Sequence, residues 1–180
     1  WTVRAHSTDQ PPLLDGNLDE PFWQNAHVME LSELDAPRSD SGQTVAAQAE
    51  RTKTYLRWAF DQEYLYIGIV APRTDSSPPP LVESRGYDAD LEAVDHVQLT
   101  LDTDRDYCTA IELGISADGR TYDRCCGYVQ YNPKWHVSVR AQPQQWTAEL
   151  AIELADLTCQ TQLPGTAWAV SARRQQPNKA

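Results

Sequence analysis

The sequence predicts an all-β fold: an antiparallel β-sandwich or jelly roll with two sheets in an immunoglobulin-like arrangement. Three observations support this prediction. Apolar and polar residues alternate over many short segments, turn-forming residues separate those segments, and strong helical periodicity is missing. A chain of 180 residues suits one domain with a full core, so we expect residues 1–180 to form a single domain.

Several segments have the period-two alternation of half-buried strands, with one apolar and one polar face. In chain order their apolar residues are Leu56, Trp58 and Phe60; Leu65, Ile67 and Ile69; Val97, Leu99 and Leu101; Ile111, Leu113 and Ile115; Val137 and Val139; Trp146, Ala148, Leu150 and Ile152; and Trp168, Val170 and Ala172. The polar residues between them, such as Gln98, Glu112 and Glu149, are predicted to point away from the core.

Two hairpin turns are recognisable. Asp61-Gln62 is expected to join the first two of these strands. Asp118-Gly119 is a favoured pair in two-residue hairpins, and it is expected to join the strand of Leu113 to a strand over residues 120–129.

Helix is expected to be scarce, and one long loop is expected. Only Glu30–Asp35 and Leu154–Leu157 suggest a helical turn or two. The stretch Thr74–Asp90 contains Pro78-Pro79-Pro80, which cannot enter a sheet interior, so this stretch is predicted to be a loop.

The charge balance limits the classes of partner. The formal net charge is −11 and the sequence pI is about 4.6. Such acidity argues against nucleic acid and anionic membrane surfaces, which require Lys/Arg patches, whereas neutral ligands and calcium remain compatible. The sequence contains no run of 18 apolar residues, which is about the length needed to span a membrane. Trp1 is not an initiator residue, so we expect a processed or excised chain from which a leader could have been removed. The expected location is extracytoplasmic: secreted, periplasmic or at the cell surface.

The chain has four cysteines: Cys108, Cys125, Cys126 and Cys159. They form neither a C-x-x-C pair nor a C-x-x-C-H motif, so a zinc pattern and covalent haem attachment are not expected. A two-residue hairpin turn would place Cys125 opposite Glu112 and leave Cys108 too far along the strand to bridge its neighbours. We expect at most one regular disulfide, from Cys159 to Cys125 or Cys126, with Cys108 free. A bulge in the hairpin would shift the register and permit a Cys108 bridge.

Three segments in a fixed order carry a family resemblance. They are Pro12–Trp23 with its Asp15-Gly16 turn, Trp58–Gly68, and Trp146–Leu157. Together they resemble family 9 carbohydrate-binding modules, β-sandwich domains attached to xylanases and other secreted proteins, over about Pro12 to Arg174.

This resemblance implies a non-catalytic module of an exported carbohydrate-active protein, accessory to a glycoside hydrolase. Its expected partners are a mono- or oligosaccharide and the other domains of a parent protein. Family members usually continue to a final strand and a loop bearing an aromatic residue. We therefore expect this chain to be excised from a larger protein and to lack that strand and loop.

The resemblance also implies ligand-binding residues. In the family, a strand of the form W-x-x-D-x-V-E supplies a stacking Trp and a Glu that binds sugar hydroxyls. The matching stretch here places Glu92 at the stacking position and Gln98 at the hydroxyl-binding position. Glu112 and Arg173 match further polar ligand contacts. Because Gln98, Glu112 and Arg173 all alternate with core residues, they are expected to share the outer face of one sheet, although simply solvated residues would have the same pattern.

The tryptophans are candidates for the core or for stacking on a sugar ring. Family position and alternation predict that Trp23, Trp146 and Trp168 are buried in the core, and alternation predicts the same for Trp58. Trp135 follows a loop. It is the remaining candidate for stacking on a sugar, with burial in the core as its alternative. The loss of the stacking Trp at position 92 predicts weak sugar binding.

Asp102, Asp104 and Asp106 place three carboxylates at alternate positions, like the opening of a calcium loop. An EF-hand is excluded because Tyr107 stands where glycine is required and Leu113 where glutamate is required. The family resemblance implies structural calcium, so a site of another type is expected here. A solvated acidic turn is the alternative.

Other functions remain as alternatives. Related sandwiches bind b-type haem through Met and His ligands, and this chain offers Met29 with the histidines His6, His27, His96 and His136. We therefore consider three alternatives: a redox-associated haem domain, a module that has lost sugar binding, and a glycoside hydrolase fragment. Catalysis has little support, since acidic residues occur throughout the chain and no G-x-S-x-G motif accompanies Asp95-His96.

Overall fold

The computed structural model describes residues 2–31, 53–73, 88–158 and 165–176, and these residues contain ten strands and two short helices. The strands are β1 (His6–Ser7), β2 (Val28–Leu31), β3 (Thr54–Phe60), β4 (Tyr64–Pro72), β5 (His96–Asp102), β6 (Ile111–Ser116), β7 (Thr121–Cys125), β8 (Trp135–Ala141), β9 (Gln145–Glu153) and β10 (Ala169–Gln175). The helices are α1 (Pro21–Asn25) and α2 (Leu154–Leu157).

The strands form two sheets that pack against each other. The six-stranded sheet has the order β1-β3-β4-β9-β8, with β2 also paired to β3. The four-stranded sheet has the order β10-β5-β6-β7 and is antiparallel throughout. In the six-stranded sheet, only the two-residue pairing of β1 with β3 is parallel among the described strands. The predicted β-sandwich is confirmed.

The main core lies between the sheets and follows the predicted alternation. Leu56, Ile67 and Leu150 project from the six-stranded sheet and are fully buried. Leu99 and Leu113 meet them from the four-stranded sheet and are equally inaccessible to solvent. Each such side chain contributes about 1.5–3 kcal/mol relative to an exposed one. This packing fixes which residues of β5 and β6 must point outward.

A second, smaller core covers the outer face of the six-stranded sheet. The N-terminal segment crosses this face, and α1 packs Phe22 and Trp23 against Tyr66 and Ala151. Pro21 begins the helix, where its fixed φ and missing N–H are tolerated. The six-stranded sheet is therefore buried on both faces. In the part of the chain that the structure describes, no comparable cluster covers the outer face of the four-stranded sheet.

The β6–β7 hairpin differs from the prediction by one residue. Its loop has three residues, because Ser116 N–H donates to Arg120 O at 3.0 Å and Gly119 N–H donates to Ser116 O at 2.9 Å. Gly119 has a φ of +86°, which suits the left-handed residue of a three-residue hairpin loop. Cys125 consequently lies opposite Ile111, whereas a two-residue turn would have placed it opposite Glu112.

The free edge of β7 is covered at both ends. At its start, Ala89 N–H donates to Thr121 O at 3.0 Å. At its end, Cys125 and Tyr128 exchange backbone hydrogen bonds of 3.2 and 2.8 Å across a tight turn. Between these ends, the buried Asp123 lies opposite the core residue Leu113, so its side chain points between the sheets.

The secondary-structure predictions are partly confirmed. Leu154–Leu157 is helical and the Asp61-Gln62 turn joins β3 to β4. The helical turn predicted at Glu30–Asp35 is wrong for Glu30 and Leu31, which pair with the edge of β3, and its remainder lies outside the described residues. The predicted loop over Thr74–Asp90 is described only from Asp88 onward.

The core predictions for tryptophan hold for three of the four residues. Trp23, Trp58 and Trp146 are 1%, 4% and 0% exposed. Trp168 is half-buried and packs against the main core. It precedes β10, an edge strand, which explains why the sheets do not enclose it completely.

The predicted disulfide is not present. Cys125 and Cys126 are free thiols, with their sulfur atoms 3.7 Å apart. Cys108 is also free and exposed, as predicted. Cys159 lies outside the described residues. The three-residue loop changes the register from which the exclusion of Cys108 was argued, whereas Cys159 was assigned by elimination.

Candidate functional site

The outward-pointing residues of the four-stranded sheet form the surface that we call the outer face. Alternation places Leu99 and Leu113 inside, so their strand neighbours point the other way. The register then aligns the outward residues in rows across the sheet, and the two central rows contain the predicted residues. One row is Arg173, Gln98, Gly114 and Tyr122, and the other is Ser171, Thr100, Glu112 and Arg124.

Gln98 and Arg173 meet on this face. Arg173 lies directly opposite Gln98 and donates from Nε and Nη2 to its Oε1 at 2.9 and 2.6 Å. Gln98 is only 9% exposed, whereas Arg173 is exposed. The two predicted residues are thus brought into contact. Glu112 lies in the neighbouring row, opposite Thr100, and is half-buried.

Tyr122 forms the floor of the outer face and was not predicted. Its ring lies over Gly114, where an added Cβ would overlap the ring atoms, so this position requires the absence of a side chain. Burial, followed by the Glu112 carboxylate, raises the pKa of Tyr122, while the guanidinium groups of Arg124 and Arg173 oppose this rise. The Arg124 guanidinium lies 4.9 Å from the ring centre, within the range of a cation–π contact. Sequence analysis missed Tyr122 because only the observed hairpin register places it opposite Gly114 on the outer face.

Glu92 lies at one end of the outer face. It belongs to the loop before β5, its side chain is exposed, and its carbonyl accepts a hydrogen bond from Gln175 at the end of β10. A carboxylate at this position offers no flat apolar surface to a sugar ring. The structure therefore places Glu92 beside the predicted site without giving it a stacking role.

The structure separates Trp135 from the other predicted residues. Trp135 begins β8 in the six-stranded sheet, is half-buried and packs against the main core. Its Nε1 donates to Asp123 Oδ2 at 3.2 Å, and Asp123 points inward from β7. Trp135 thus bridges the two sheets on their inner side. The core alternative accounts for this residue, and the stacking alternative does not.

Asp95, which matches the aspartate of the family motif, is a structural residue. It lies just before β5 and accepts two hydrogen bonds from Arg174, Nε to Oδ1 at 2.8 Å and Nη2 to Oδ2 at 2.6 Å. Trp146 Nε1 in the opposite sheet also donates to Oδ2, at 3.1 Å. Arg174 reaches Thr54 in that sheet as well, at 3.2 Å. This cluster links the two sheets close to the outer face.

Glu149 joins the three sequence segments that carry the family resemblance. Its Oε2 accepts N–H groups of Asp15 and Gly16, both at 3.0 Å, and its Oε1 accepts Trp23 Nε1 at 3.1 Å. Glu149 itself comes from the third segment, and Gly68 of the second segment lies beside it in the sheet. The side chain is fully buried, and burial raises its pKa to about 7. The three segments therefore meet at one junction in the fold.

The aspartates Asp102, Asp104 and Asp106 converge in the loop after β5. One carboxylate oxygen from each lies within 4.8 Å of the others. Backbone N–H groups of Arg105 and Tyr107 bond the carboxylate of Asp102 at 2.7 and 2.9 Å, which holds the loop around it. Calcium binds oxygen ligands at about 2.3–2.6 Å from the ion, so three oxygens within 4.8 Å of one another fit around one ion.

Among the residues considered for haem, Met29 and His96 have other contacts. Met29 packs against the main core from β2. His96 is buried, and its Nδ1 lies 2.9 Å from Val94 O. His27 and His136 are exposed and His6 is half-buried. No helix in the described ranges has the length and apolar character needed to cross a membrane.

Comparison with known proteins identifies solved structures of the same fold. No protein-family model matches the chain, and no curated protein matches it. A family 9 carbohydrate-binding module from Caldicellulosiruptor kristjanssonii, solved in complex with cellotriose, matches with a TM-score of 0.65 and 13% identity, over 97% of this chain and 77% of that chain. The module's complex with glucose matches with a TM-score of 0.62 and 14% identity, over 97% of this chain and 78% of that chain.

A Bacteroides uniformis ATCC 8492 protein whose name proposes carbohydrate binding also matches, with a TM-score of 0.59 and 11% identity. This match covers 86% of this chain and 73% of that one. Identities this low establish the fold alone. The resemblance found in the three sequence segments is therefore confirmed in three dimensions: the chain has the fold of family 9 carbohydrate-binding modules.

Proposed function

We propose that this chain is a non-catalytic carbohydrate-binding module that binds a mono- or oligosaccharide on its outer face. The main support is the contact between Gln98 and Arg173, with Glu112 in the neighbouring row, on the one sheet face that lacks a covering cluster among the described residues. Amide, guanidinium and carboxylate groups together donate and accept the hydrogen bonds that sugar hydroxyls require. Fold neighbours solved with cellotriose and glucose give independent support.

The wider context belongs to the same proposal. A module of this kind would work as an accessory domain of an exported protein such as a glycoside hydrolase, outside the cytoplasm. The acidic charge of −11 supports a partner other than nucleic acid or an anionic membrane. Release of reducing sugar from xylan or cellulose by the isolated chain would contradict a non-catalytic role.

Sugar binding is expected to be weak and to depend on the outer face. Tyr122 is only 8% exposed, so it offers a sugar little apolar surface, and loss of a stacking ring costs about 1–2 kcal/mol, or about ten- to thirtyfold in affinity. Gln98→Ala and Glu112→Ala should each weaken cellotriose binding by at least about tenfold, because each removes a hydrogen-bonding group. Calorimetric or NMR titration with glucose and cellotriose measures this.

The control is Gln144→Ala, an exposed glutamine outside the outer face, in the turn between β8 and β9. It should bind cellotriose like the unchanged protein. If Gln98→Ala and Glu112→Ala also bind normally, the site lies elsewhere. If the unchanged protein binds no sugar, the alternative of a module that has lost sugar binding is favoured.

We also propose that Asp102, Asp104 and Asp106 hold a structural calcium ion, with backbone carbonyls and water completing its coordination. Such an ion would fix the loop after β5 and take no part in chemistry. Calcium at a hundredfold excess over its dissociation constant should raise the free energy of unfolding by about 2.7 kcal/mol. Thermal unfolding with calcium and with a chelator measures the effect.

Asp104→Asn should remove this calcium response, because it deletes one of the three carboxylates. Asp19→Asn makes the same charge change at an exposed position in the N-terminal segment and should keep the response. Equal melting temperatures for the unchanged protein with calcium and with chelator would favour the solvated acidic turn.

A further inference from the structure

The outer face differs in charge from the rest of the chain. The whole sequence has 26 acidic residues against 15 Lys and Arg. Among the outward residues in the two rows, there are two arginines, Arg124 and Arg173, and one acid, Glu112. The centre of the face where we propose that the ligand binds thus carries more guanidinium groups than carboxylates, while the acidic residues Asp102 and Glu92 lie at its two ends.

The two guanidinium groups lack carboxylate partners. Arg173 bonds the neutral amide of Gln98 through Nε and Nη2, and within the described ranges its Nη1 makes no hydrogen bond. Arg124 is exposed and rests on the ring of Tyr122. No carboxylate among the described residues lies within salt-bridge distance of it, although Glu112 is its register partner.

Other arginines in the structure are bound to anions or carbonyl groups. Arg174 pairs with Asp95 at 2.6 Å and Arg120 with Asp118 at 2.8 Å, while Arg57 donates to the carbonyl of Trp23 at 2.9 Å. Arg124 and Arg173 differ from these three arginines because the N–H donors of Arg124 and the Nη1 donors of Arg173 remain available at the surface.

The Tyr122 ring lies between the strands that carry Arg124 and Arg173. The ring extends from β7 across Gly114 of β6, so the hydroxyl end is directed towards β5 and Gln98. Arg124 lies 4.9 Å from the centre of the ring, and Arg173 bonds Gln98, towards which the hydroxyl end is directed. A ligand group bound beyond the hydroxyl end of the ring would therefore lie between Arg124, which covers the ring, and Arg173, which bonds Gln98.

We infer that the ligand of the outer face is an acidic saccharide, a uronate, whose carboxylate is bound by Arg124 and Arg173. This inference rests on the proposed sugar binding. Guanidinium groups match a planar carboxylate with paired N–H donors, and such charge-assisted bonds are stronger than those to a hydroxyl. Gln98 and Glu112 then contact the sugar hydroxyls. The exposed Glu92 at the end of the face leaves neutral stacking without a platform.

The test compares ligands that differ only at C6. D-glucuronate, its neutral amide glucuronamide, D-glucose and glucose 6-sulfate are titrated into the unchanged protein at low ionic strength, with cellotriose as a neutral oligosaccharide. Glucuronate should bind at least about tenfold more tightly than glucuronamide and glucose. This advantage should shrink in half-molar salt, because the contacts are solvent-exposed.

Variants locate the charge recognition. Arg124→Gln should reduce the ratio of glucuronate to glucuronamide affinity towards one. Arg4→Gln makes the same charge change at an exposed residue near the N-terminus, away from the outer face, and should keep the ratio. A ratio that survives Arg124→Gln would overturn the assignment to this face.

The remaining outcomes separate this inference from the proposed function. If glucose or cellotriose binds and glucuronate binds no more tightly, sugar binding stands and the uronate preference is wrong. If glucose 6-sulfate binds more tightly than glucuronate, the face prefers sulfate and the uronate assignment is wrong. If none of the sugars binds, both the proposed function and this inference are overturned.

Discussion

Replacing Glu149 with leucine is expected to lower the free energy of unfolding by about 3–5 kcal/mol. The substitution would leave the N–H groups of Asp15, Gly16 and Trp23 without an acceptor beneath the N-terminal segment. A buried donor left unpaired costs about 1–3 kcal/mol. Urea unfolding followed by tryptophan fluorescence measures the loss, since Trp23 lies at the junction.

The matched control for Glu149 lies on the same strand. Glu153 is partly exposed and pairs with Lys134 at the surface, at 3.0 Å. Glu153→Leu should therefore change the stability by no more than about 1 kcal/mol. A loss from Glu149→Leu as small as that from Glu153→Leu would show that Glu149 does not anchor the N-terminal segment.

The pH dependence of stability tests the protonation state of the Glu149 carboxyl group. Burial raises the pKa of Glu149 from its ordinary 4.5 to about 7, although the N–H groups of Trp23 and Gly16 favour the ionised form. The folded state thus holds a proton that the unfolded state releases. This contribution is complete below about pH 4.5 and is lost as the pH rises through about 7, with an upper limit of about 3 kcal/mol. Compared with Glu149→Gln, which cannot titrate there, the unchanged protein should be relatively more stable at pH 5.5 than at pH 8.

Removing the Asp95 carboxylate is expected to be the other strongly destabilising change. Asp95→Ala should cost about 3 kcal/mol, because Arg174 keeps a charged side chain that is only 7% exposed and Trp146 loses its acceptor. In a double-mutant cycle with Arg174→Leu, the coupling free energy between the two residues should exceed about 1.5 kcal/mol. Thermal and urea unfolding of the four proteins provide the cycle.

The surface pair Lys134–Glu153 is the reference for this cycle. Its side chains are 71% and 27% exposed, and its coupling should lie between about 0 and 1 kcal/mol. If the Asp95–Arg174 coupling is equally small, this ion pair contributes little to holding the two sheets together. Asp95→Asn separates charge from shape, since the amide keeps one acceptor oxygen for Trp146.

Local alternation predicted which residues of each central strand point inward. It placed Leu99 and Leu113 in the core and directed Gln98 and Arg173 outward, where the structure brings them into contact. This works because the period of a strand is set by its own backbone. The positions matched to the family motif therefore lie on or beside one face, with Glu92 at its end.

Relations between strands were harder to predict. Tyr122 was missed because one extra loop residue at Ala117–Gly119 shifts the β6–β7 register, and such a shift is invisible in either strand alone. Alternation gave the orientation of Trp135 within its strand but not the sheet to which the strand belongs. Glu149 points outward as predicted, yet a segment more than a hundred residues away in sequence buries it.

The covered edge of β7 has a consequence for behaviour at high concentration. An open edge strand is a template on which a second molecule can add its own strand, and this is a common start of aggregation. Ala89 and Tyr128 already occupy the two ends of this edge, and the inward Asp123 would have to keep its buried position in any extended ladder. Self-association through β7 is thereby discouraged, so strand addition at this edge would not bring the adjoining outer face into a contact between molecules.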